Sequence, residues 1–166
     1  MSRSANRYSS LALALCLGAP LLVEAEQGWP RWRGPLATGA APTASPPLRW
    51  SETENLKWKV AVPGFGTSTP VIWGDRVFLL TAKASGKQAE ATPAAGNPFG
   101  TFKPEDSYQF MVLCYHRGDG SLRWQRIVRE EVPHEGHHRD HGFASGSPVT
   151  DGERVYAHFG SRGVYC

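Results

Sequence analysis

The sequence predicts an all-β fold built from repeated four-stranded antiparallel units. The prediction rests on an internal repeat, on short apolar segments that alternate with polar residues, and on the regular spacing of glycine-containing turns. The chain has 166 residues with 18 Gly and 13 Pro, and it is 40% hydrophobic and 20% charged. This composition is typical of a turn-rich folded domain rather than of a disordered or membrane-filling chain.

The internal repeat consists of two motifs that recur in the same order. Residues 69–78 read TPVIWGDRVF, and residues 147–156, which begin 78 positions later, read SPVTDGERVY. Residues 56–59 read LKWK, and residues 122–125, which begin 66 positions later, read LRWQ. Two ordered repeats indicate a repeat protein rather than a coincidence.

The strands follow from this pattern. We predict no helix longer than about two turns after the amino-terminal segment, and antiparallel strands over residues 68–73, 76–82, 109–116 and 121–128. Four such strands make one blade of a β-propeller. The tight turns, strand entries and blade packing are assigned to six residues: Trp58, Pro70, Gly74, Trp124, Pro148 and Gly152.

The count of strands predicts a partial β-propeller with about one and a half blades. Residues 54–62 are expected to supply one outer strand, and residues 145–166 two strands and the start of a third. A propeller closes with roughly 4 to 8 blades. We therefore expect an incomplete propeller over residues 54–166, preceded by an extended segment over residues 26–53.

Two insertions interrupt the repeat, at about residues 83–107 and 130–141. The first separates the second and third strands of a blade, and the second separates two blades. In an up-and-down blade these two connections leave from the same end of the sheet. Because insertions gathered on one face of a repeat protein usually mark its binding face, we expect a partner to bind there.

The first 25 residues have the order of a secretory signal peptide. Arg3 and Arg7 precede the apolar residues 11–23, and Ala25 is a small residue before the expected cleavage point. The apolar run is too short for a stable membrane span. We expect a periplasmic or secreted protein; a lipid anchor on Cys16 is a weaker alternative, because Leu15 replaces the small residue that such a site needs.

The repeat resembles that of the pyrroloquinoline-quinone (PQQ)-like β-propeller family. The resemblance rests on the Pro-Val and Gly-Asp/Glu-Arg-Val motifs, on Leu113-Cys114, on the Asp119-Gly120 turn and on Trp124. Residues 29–35, WPRWRGP, also resemble the opening of mature secreted bacterial members. His116 departs from the family pattern, which commonly has Asp there, and this leaves the geometry of the following turn open.

The resemblance implies two functions. Catalytic members bind PQQ with a calcium ion through side chains from many blades, so a fragment of a PQQ-dependent quinoprotein dehydrogenase is one alternative. Most members have the fold without the cofactor. The leading expectation is therefore a non-catalytic exported propeller, with a protein or carbohydrate partner at the insertion face. A net charge of +3 without a basic cluster argues against nucleic acid.

A histidine-rich loop is the local candidate for chemistry, with His134, His137, His138 and His141 as possible metal ligands. Glu135 and Asp140 could assist, and His134, Glu135 and His138 formally match the zincin pattern. Pro133 and Gly136 leave no room for the helix that a zincin needs. A solvated polar loop is the competing interpretation. Ser145 and Ser147 are expected to serve a tight turn rather than nucleophilic catalysis.

Two cysteines, Cys114 and Cys166, remain after signal-peptide removal. Although an exported protein could form a disulfide, the repeat places them at equivalent positions of successive blades. We therefore expect two buried free thiols.

Overall fold

The computed structural model describes residues 28–86, 101–102, 104, 106–138 and 140–166. The predicted signal peptide and most of the first insertion lie outside these residues. The described part is all-β and antiparallel, as predicted, and its only helical element is a 3₁₀ turn over Gly160–Arg162. No helix in these ranges is long and apolar enough to cross a membrane.

The main sheet has four antiparallel strands in the order β1-β2-β4-β5. Its strands are β1 (Val71–Trp73), β2 (Arg76–Ala84), β4 (Tyr108–His116) and β5 (Leu122–Glu131). The four predicted strands are confirmed in number, order and direction. β1 begins at Val71 rather than at residue 68, because Pro70 has no N–H to donate to a ladder.

Two smaller sheets complete the described structure. One pairs β3 (Thr101–Phe102) with β6 (His137–His138). The other has three strands in the order β7-β8-β9, namely β7 (Val149–Thr150), β8 (Val155–His158) and β9 (Val164–Tyr165). The third sheet occupies the part of the sequence in which two strands and the start of a third were predicted.

One strand prediction is wrong. Residues 54–62 form no strand, and the neighbouring chain makes only an isolated bridge from Phe65 to Ala82. A strand requires a ladder of backbone hydrogen bonds, and residues 54–62 form no such ladder with a described strand. Leu56, Val60 and Val62 consequently remain substantially exposed.

The core lies between the main sheet and the third sheet. Leu80, Phe110 and Phe159 are almost fully buried, and the Phe110 and Phe159 rings pack edge to face with centroids 5.5 Å apart. Phe143, from the connection between the sheets, packs against Phe110 at 6.3 Å. Aromatic residues therefore join the two repeated units.

Residues that are equivalent in the repeat contact each other across the two units. The Thr69 backbone N–H donates to the Ser147 hydroxyl at 3.0 Å, and the Thr67 hydroxyl donates to the Ser145 hydroxyl at 3.1 Å. Both pairs are 78 residues apart, which is the repeat offset. The two repeated units therefore lie side by side with equivalent residues in contact.

The residues assigned to blade structure occupy turns and packing positions. Gly74 and Gly152 have φ values of +56° and +95°, which favour glycine. The Trp73 ring lies so close to Gly152 that an added Cβ would be 2.4 Å from it. Trp124 packs on Phe78 with ring centroids 5.9 Å apart.

The remaining three of the six assigned residues are Pro148, Pro70 and Trp58. Pro148 is fully buried and Pro70 is exposed. The Trp58 indole N–H donates to the Arg117 carbonyl at 2.9 Å.

The two cysteines are both free thiols, but only Cys114 is buried. Burial raises the pKa of the Cys114 thiol. Cys166 is exposed, so the expectation of two buried thiols is wrong for this residue. It follows β9 directly, where no further strand of the described chain covers it.

Candidate functional site

The two insertions meet in the small β3-β6 sheet. Thr101 pairs with His138 and Phe102 pairs with His137 in antiparallel register. The first insertion supplies β3 and the inter-unit connection supplies β6, so both lie at one end of the main sheet. The tight turns after β1 and β4 lie at the opposite end.

A cavity of roughly 450 Å³ lies beside this pairing. Its walls come from the inter-unit connection and from the loop between β8 and β9. The polar side chains that line it are His137, His138, His141, Ser145, His158 and Arg162. The volume is within the range of sites that bind small molecules, about 300–1,000 Å³.

Three of the four predicted histidines line this cavity. The His137 Nδ1–H donates to the His138 carbonyl at 2.8 Å, and its ring packs edge-on against Phe143 at 4.6 Å. His138 accepts the Asp140 backbone N–H at Nδ1, and its ring centroid lies 6.1 Å from that of His141.

His134 does not belong to this group. It does not line the cavity, and its Nε2 lies 4.0 Å from the exposed Glu135 carboxylate. Within the described residues, no three His, Cys, Asp or Glu side chains are grouped so that they could hold a metal ion. The stretch from Pro133 to His138 ends in a strand rather than a helix, so the geometry of a zincin does not form.

The serines make short-range contacts. Ser145 donates to the Gly142 carbonyl at 2.8 Å and accepts from Thr67, and Ser147 accepts a backbone N–H. His141 Nδ1 is 3.5 Å from the Thr67 hydroxyl. These bonds fix the entry to β7, which is the role expected for Ser145 and Ser147.

Arg162 is the buried charge of the site, and the sequence analysis missed it. Its side chain is 5% exposed, and its guanidinium carbon lies 4.7 Å from the Phe143 ring centroid and 5.6 Å from that of Phe110. Stacking on aromatic rings is favourable for a guanidinium that has lost water. The 3₁₀ turn places this arginine under the cavity wall.

Only one of the three guanidinium nitrogens of Arg162 makes hydrogen bonds in the described structure. Nη1 lies 3.4 Å from both the Glu135 carboxylate and the Ser161 hydroxyl. Nε and Nη2 are buried and make no hydrogen bond in the described structure. A buried donor without an acceptor costs roughly 1–3 kcal/mol. Nε still lies within ion-pair distance of a carboxylate, because Glu131 Oε1 is 3.9 Å away.

Two carboxylates surround the Arg162 charge. The Ser161 hydroxyl donates to Glu135 at 2.8 Å, and this bond, followed by the Arg162 charge, lowers the pKa of the Glu135 carboxyl. Glu131 Oε1 is 3.9 Å from Arg162 Nε, while Glu131 Oε2 accepts from Arg129 Nε at 2.6 Å. Both glutamates are thus engaged with arginines.

The opposite end of the main sheet contains a well-formed turn that follows His116 at the end of β4. His116 Nδ1 lies 2.9 Å from Asp119 Oδ1, and the Gly120 N–H donates to the His116 carbonyl at 2.8 Å. The Ser121 hydroxyl donates to Asp119 at 2.7 Å and is the largest cause of a strongly lowered pKa of Asp119. The His116 side chain therefore helps to hold this turn.

No protein-family model, no curated protein and no solved structure matches the chain. The quinone alternative therefore stays a prediction, because the resemblance draws the cofactor ligands from many blades and the comparisons do not test it.

Proposed function

We propose that the protein is a non-catalytic, exported β-propeller of the PQQ-like repeat type that binds a protein or carbohydrate partner at the face carrying its insertions. The single observation that carries the proposal is the pairing of β3 with β6. It joins two insertions that are distant in sequence into one surface, beside a cavity lined by polar side chains.

The propeller part of the proposal is supported by the contacts between repeat-equivalent residues. Thr69 contacts Ser147, and Thr67 contacts Ser145, each at the repeat offset of 78 residues. In a propeller, equivalent inner strands lie side by side around a central axis. Aromatic packing of Phe110 on Phe159 between the sheets fits the same arrangement.

Binding without catalysis is supported by the chemistry of the face. Its histidines contact backbone groups and one another, and its serines bond to neighbouring hydroxyl and carbonyl groups. No nucleophile in the described part of the chain is held by a base that a third group orients, as covalent catalysis would require.

Binding at the insertion face is tested with the full chain on an array of neutral and acidic glycans. The insertion-face variant is His138→Asn with His141→Asn, and the control is Glu153→Gln, an exposed side chain in the turn between β7 and β8 at the other end. We expect the face variant to lose binding and the control to retain it. Equal binding by all three proteins would refute the assignment of the face.

Export is tested separately by joining residues 1–25 to an alkaline phosphatase that is active only after translocation. We expect activity on the outer side of the inner membrane, because the segment has the three parts of a signal peptide. As the control, Leu13→Arg with Leu15→Arg interrupts the apolar run and should abolish export. Equal phosphatase activity of the two fusions, or no activity in either, would refute the proposed localisation.

A further inference from the structure

We propose that the open edge of β9 is an interaction surface for a second copy of this chain, and that residues 56–60 of that copy pair with it as an antiparallel strand. The inference goes beyond the proposed function, because it concerns the side edge of the third sheet rather than the end that carries the insertions. It rests on the repeat, on the matched registers of the two units, and on apolar residues that are exposed on both surfaces.

The strand registers establish which residues of the two units are equivalent. In the main sheet Leu80 of β2 pairs with Val112 of β4. In the third sheet His158 of β8 pairs with Val164 of β9. His158 stands 78 positions after Leu80, which is the repeat offset, and Val164 stands 52 positions after Val112. β9 therefore has the place in its unit that β4 has in the main sheet.

The main sheet shows which strand occupies this edge in a complete unit. β5 pairs with β4, and Trp124 lies opposite Cys114 in the ladder. β9 is an edge strand, and no strand of the described chain lies beyond it. Residues 56–59, LKWK, repeat residues 122–125, LRWQ, at the start of β5. The chain therefore contains a segment with the sequence pattern that the open edge requires.

This segment cannot reach β9 of its own copy. The Thr81 hydroxyl donates to the Pro63 carbonyl at 2.6 Å, so the end of the segment lies against the Thr81 side chain. Successive side chains of a strand point to opposite faces, and Leu80 packs in the core with the third sheet. Thr81 consequently lies on the other face of the main sheet. Only a second copy can bring residues 56–60 to β9.

The outer face of the third sheet is exposed where the main sheet is buried. Ala157 packs in the core, so the neighbouring Tyr156 points outward. Tyr156 is 37% exposed, whereas Phe78, its equivalent in the main sheet, is 2% exposed. Val164 is 67% exposed, whereas Val112 is 6% exposed. The third sheet thus presents apolar side chains at positions that the first unit buries.

The segment has the complementary surface. Val60 and Val62 are 37% and 40% exposed. In the register of β4 and β5, the repeat places Val60 opposite Val164 and Trp58 opposite Cys166. Unpaired N–H and C=O groups of an edge strand accept an added strand through main-chain hydrogen bonds, and the side chains select the register. Both requirements are met here.

The contact is head to tail, because the accepting edge and the donated segment are different surfaces. Such contacts build rings where the rotation closes and filaments where it does not. The main sheet has four strands and the third sheet has three, so the segment completes two four-stranded units for each copy. Since a propeller closes with roughly 4 to 8 units, we expect a ring of about two to four copies.

Disulfide trapping between copies tests the register. A Val60→Cys chain and a Val164→Cys chain with a different tag are co-expressed, both with Cys16→Ser and Cys166→Ser. Opposed residues have Cβ atoms about 4.5–5.5 Å apart, whereas a residue two positions away lies at about 7–8 Å. We expect the mixed disulfide to form at least about tenfold faster than with Val62→Cys in place of Val60→Cys. Equal trapping by both pairs, or none, would overturn the pairing.

Sedimentation velocity of the full chain over a range of concentrations tests the assembly. We expect the unchanged chain to associate, and Val60→Asp on the segment or Val164→Asp on β9 to weaken association about tenfold or more, because a charge blocks strand addition. Leu48→Asp is the control, since Leu48 is 97% exposed and lies outside both surfaces. A chain that stays monomeric, or association that neither variant weakens, would refute the proposal.

The exposed thiol gives a readout that needs no substitution on either surface. Cys166 is accessible in the single copy, and Trp58 of a second copy would cover it. We expect iodoacetamide to label Cys166 more slowly as the protein concentration rises, with the rate restored by Val60→Asp. A labelling rate that is independent of protein concentration would contradict the predicted contact.

Discussion

Replacing Gly120 and Gly74 separately by alanine tests how Trp58 is anchored to the main sheet. Both glycines have left-handed backbones, with φ values of +74° and +56°. An alanine in this region costs roughly 1–2 kcal/mol at either position. The surroundings differ, because a Cβ on Gly120 would be 2.7 Å from the Trp58 ring, whereas a Cβ on Gly74 would meet nothing within 4 Å.

The difference between the two variants therefore measures the Trp58 contact. Gly120→Ala must displace the indole, which breaks its 2.9 Å hydrogen bond to the Arg117 carbonyl. Such a bond contributes about 1 kcal/mol, and lost packing adds to it. In urea denaturation of the full chain, Gly120→Ala should lower the free energy of unfolding at least about 1 kcal/mol more than Gly74→Ala does. Equal losses of unfolding free energy in the two variants would show that the Trp58 ring does not pack against the turn at Gly120.

Three further predictions concern the core, the thiols and a surface carboxylate. Phe110→Ala should cost roughly 3–5 kcal/mol and should couple with Phe159→Ala by at least about 0.5 kcal/mol in a double-mutant cycle of urea denaturation; additive losses would contradict packing between the sheets. Iodoacetamide with peptide mapping should label Cys166 in the native protein and Cys114 only after unfolding, and equal labelling would contradict their burial. Because the folded pKa of Asp119 is lowered, its stabilising contribution is present above the unfolded value of about 3.9 and is lost as the pH falls through the folded value. The destabilisation by Asp119→Ala should therefore shrink below about pH 4, and a pH-independent difference would contradict this.

The strands of the main sheet could be predicted because local chemistry determines them. β2 contains the short apolar run VFLL, Pro70 prevents an earlier start of β1, and Gly74 permits the turn between them. The spacing of two motifs also predicted that both insertions would leave from one end. These features depend on neighbours that are close in sequence, so one sequence is sufficient to find them.

The burial of Arg162 could not be predicted in this way. Its burial depends on Phe110 and Phe143, which are 52 and 19 residues earlier in the chain. Read alone, an arginine in the segment GSRG predicts a solvated turn. The error at residues 54–62 has a related cause, because a suitable alternation of apolar residues does not supply the neighbouring strand that a ladder requires.

The two units differ most at the insertion end. Leu80 is almost fully buried, whereas His158, which stands 78 positions later, is exposed and lines the cavity. Arg162 has no counterpart at that offset, because residues 83–107 are an insertion between the second and third strands of the first unit. Its burial against Phe110 and Phe143 is therefore a property of the junction between the units and not of the repeat.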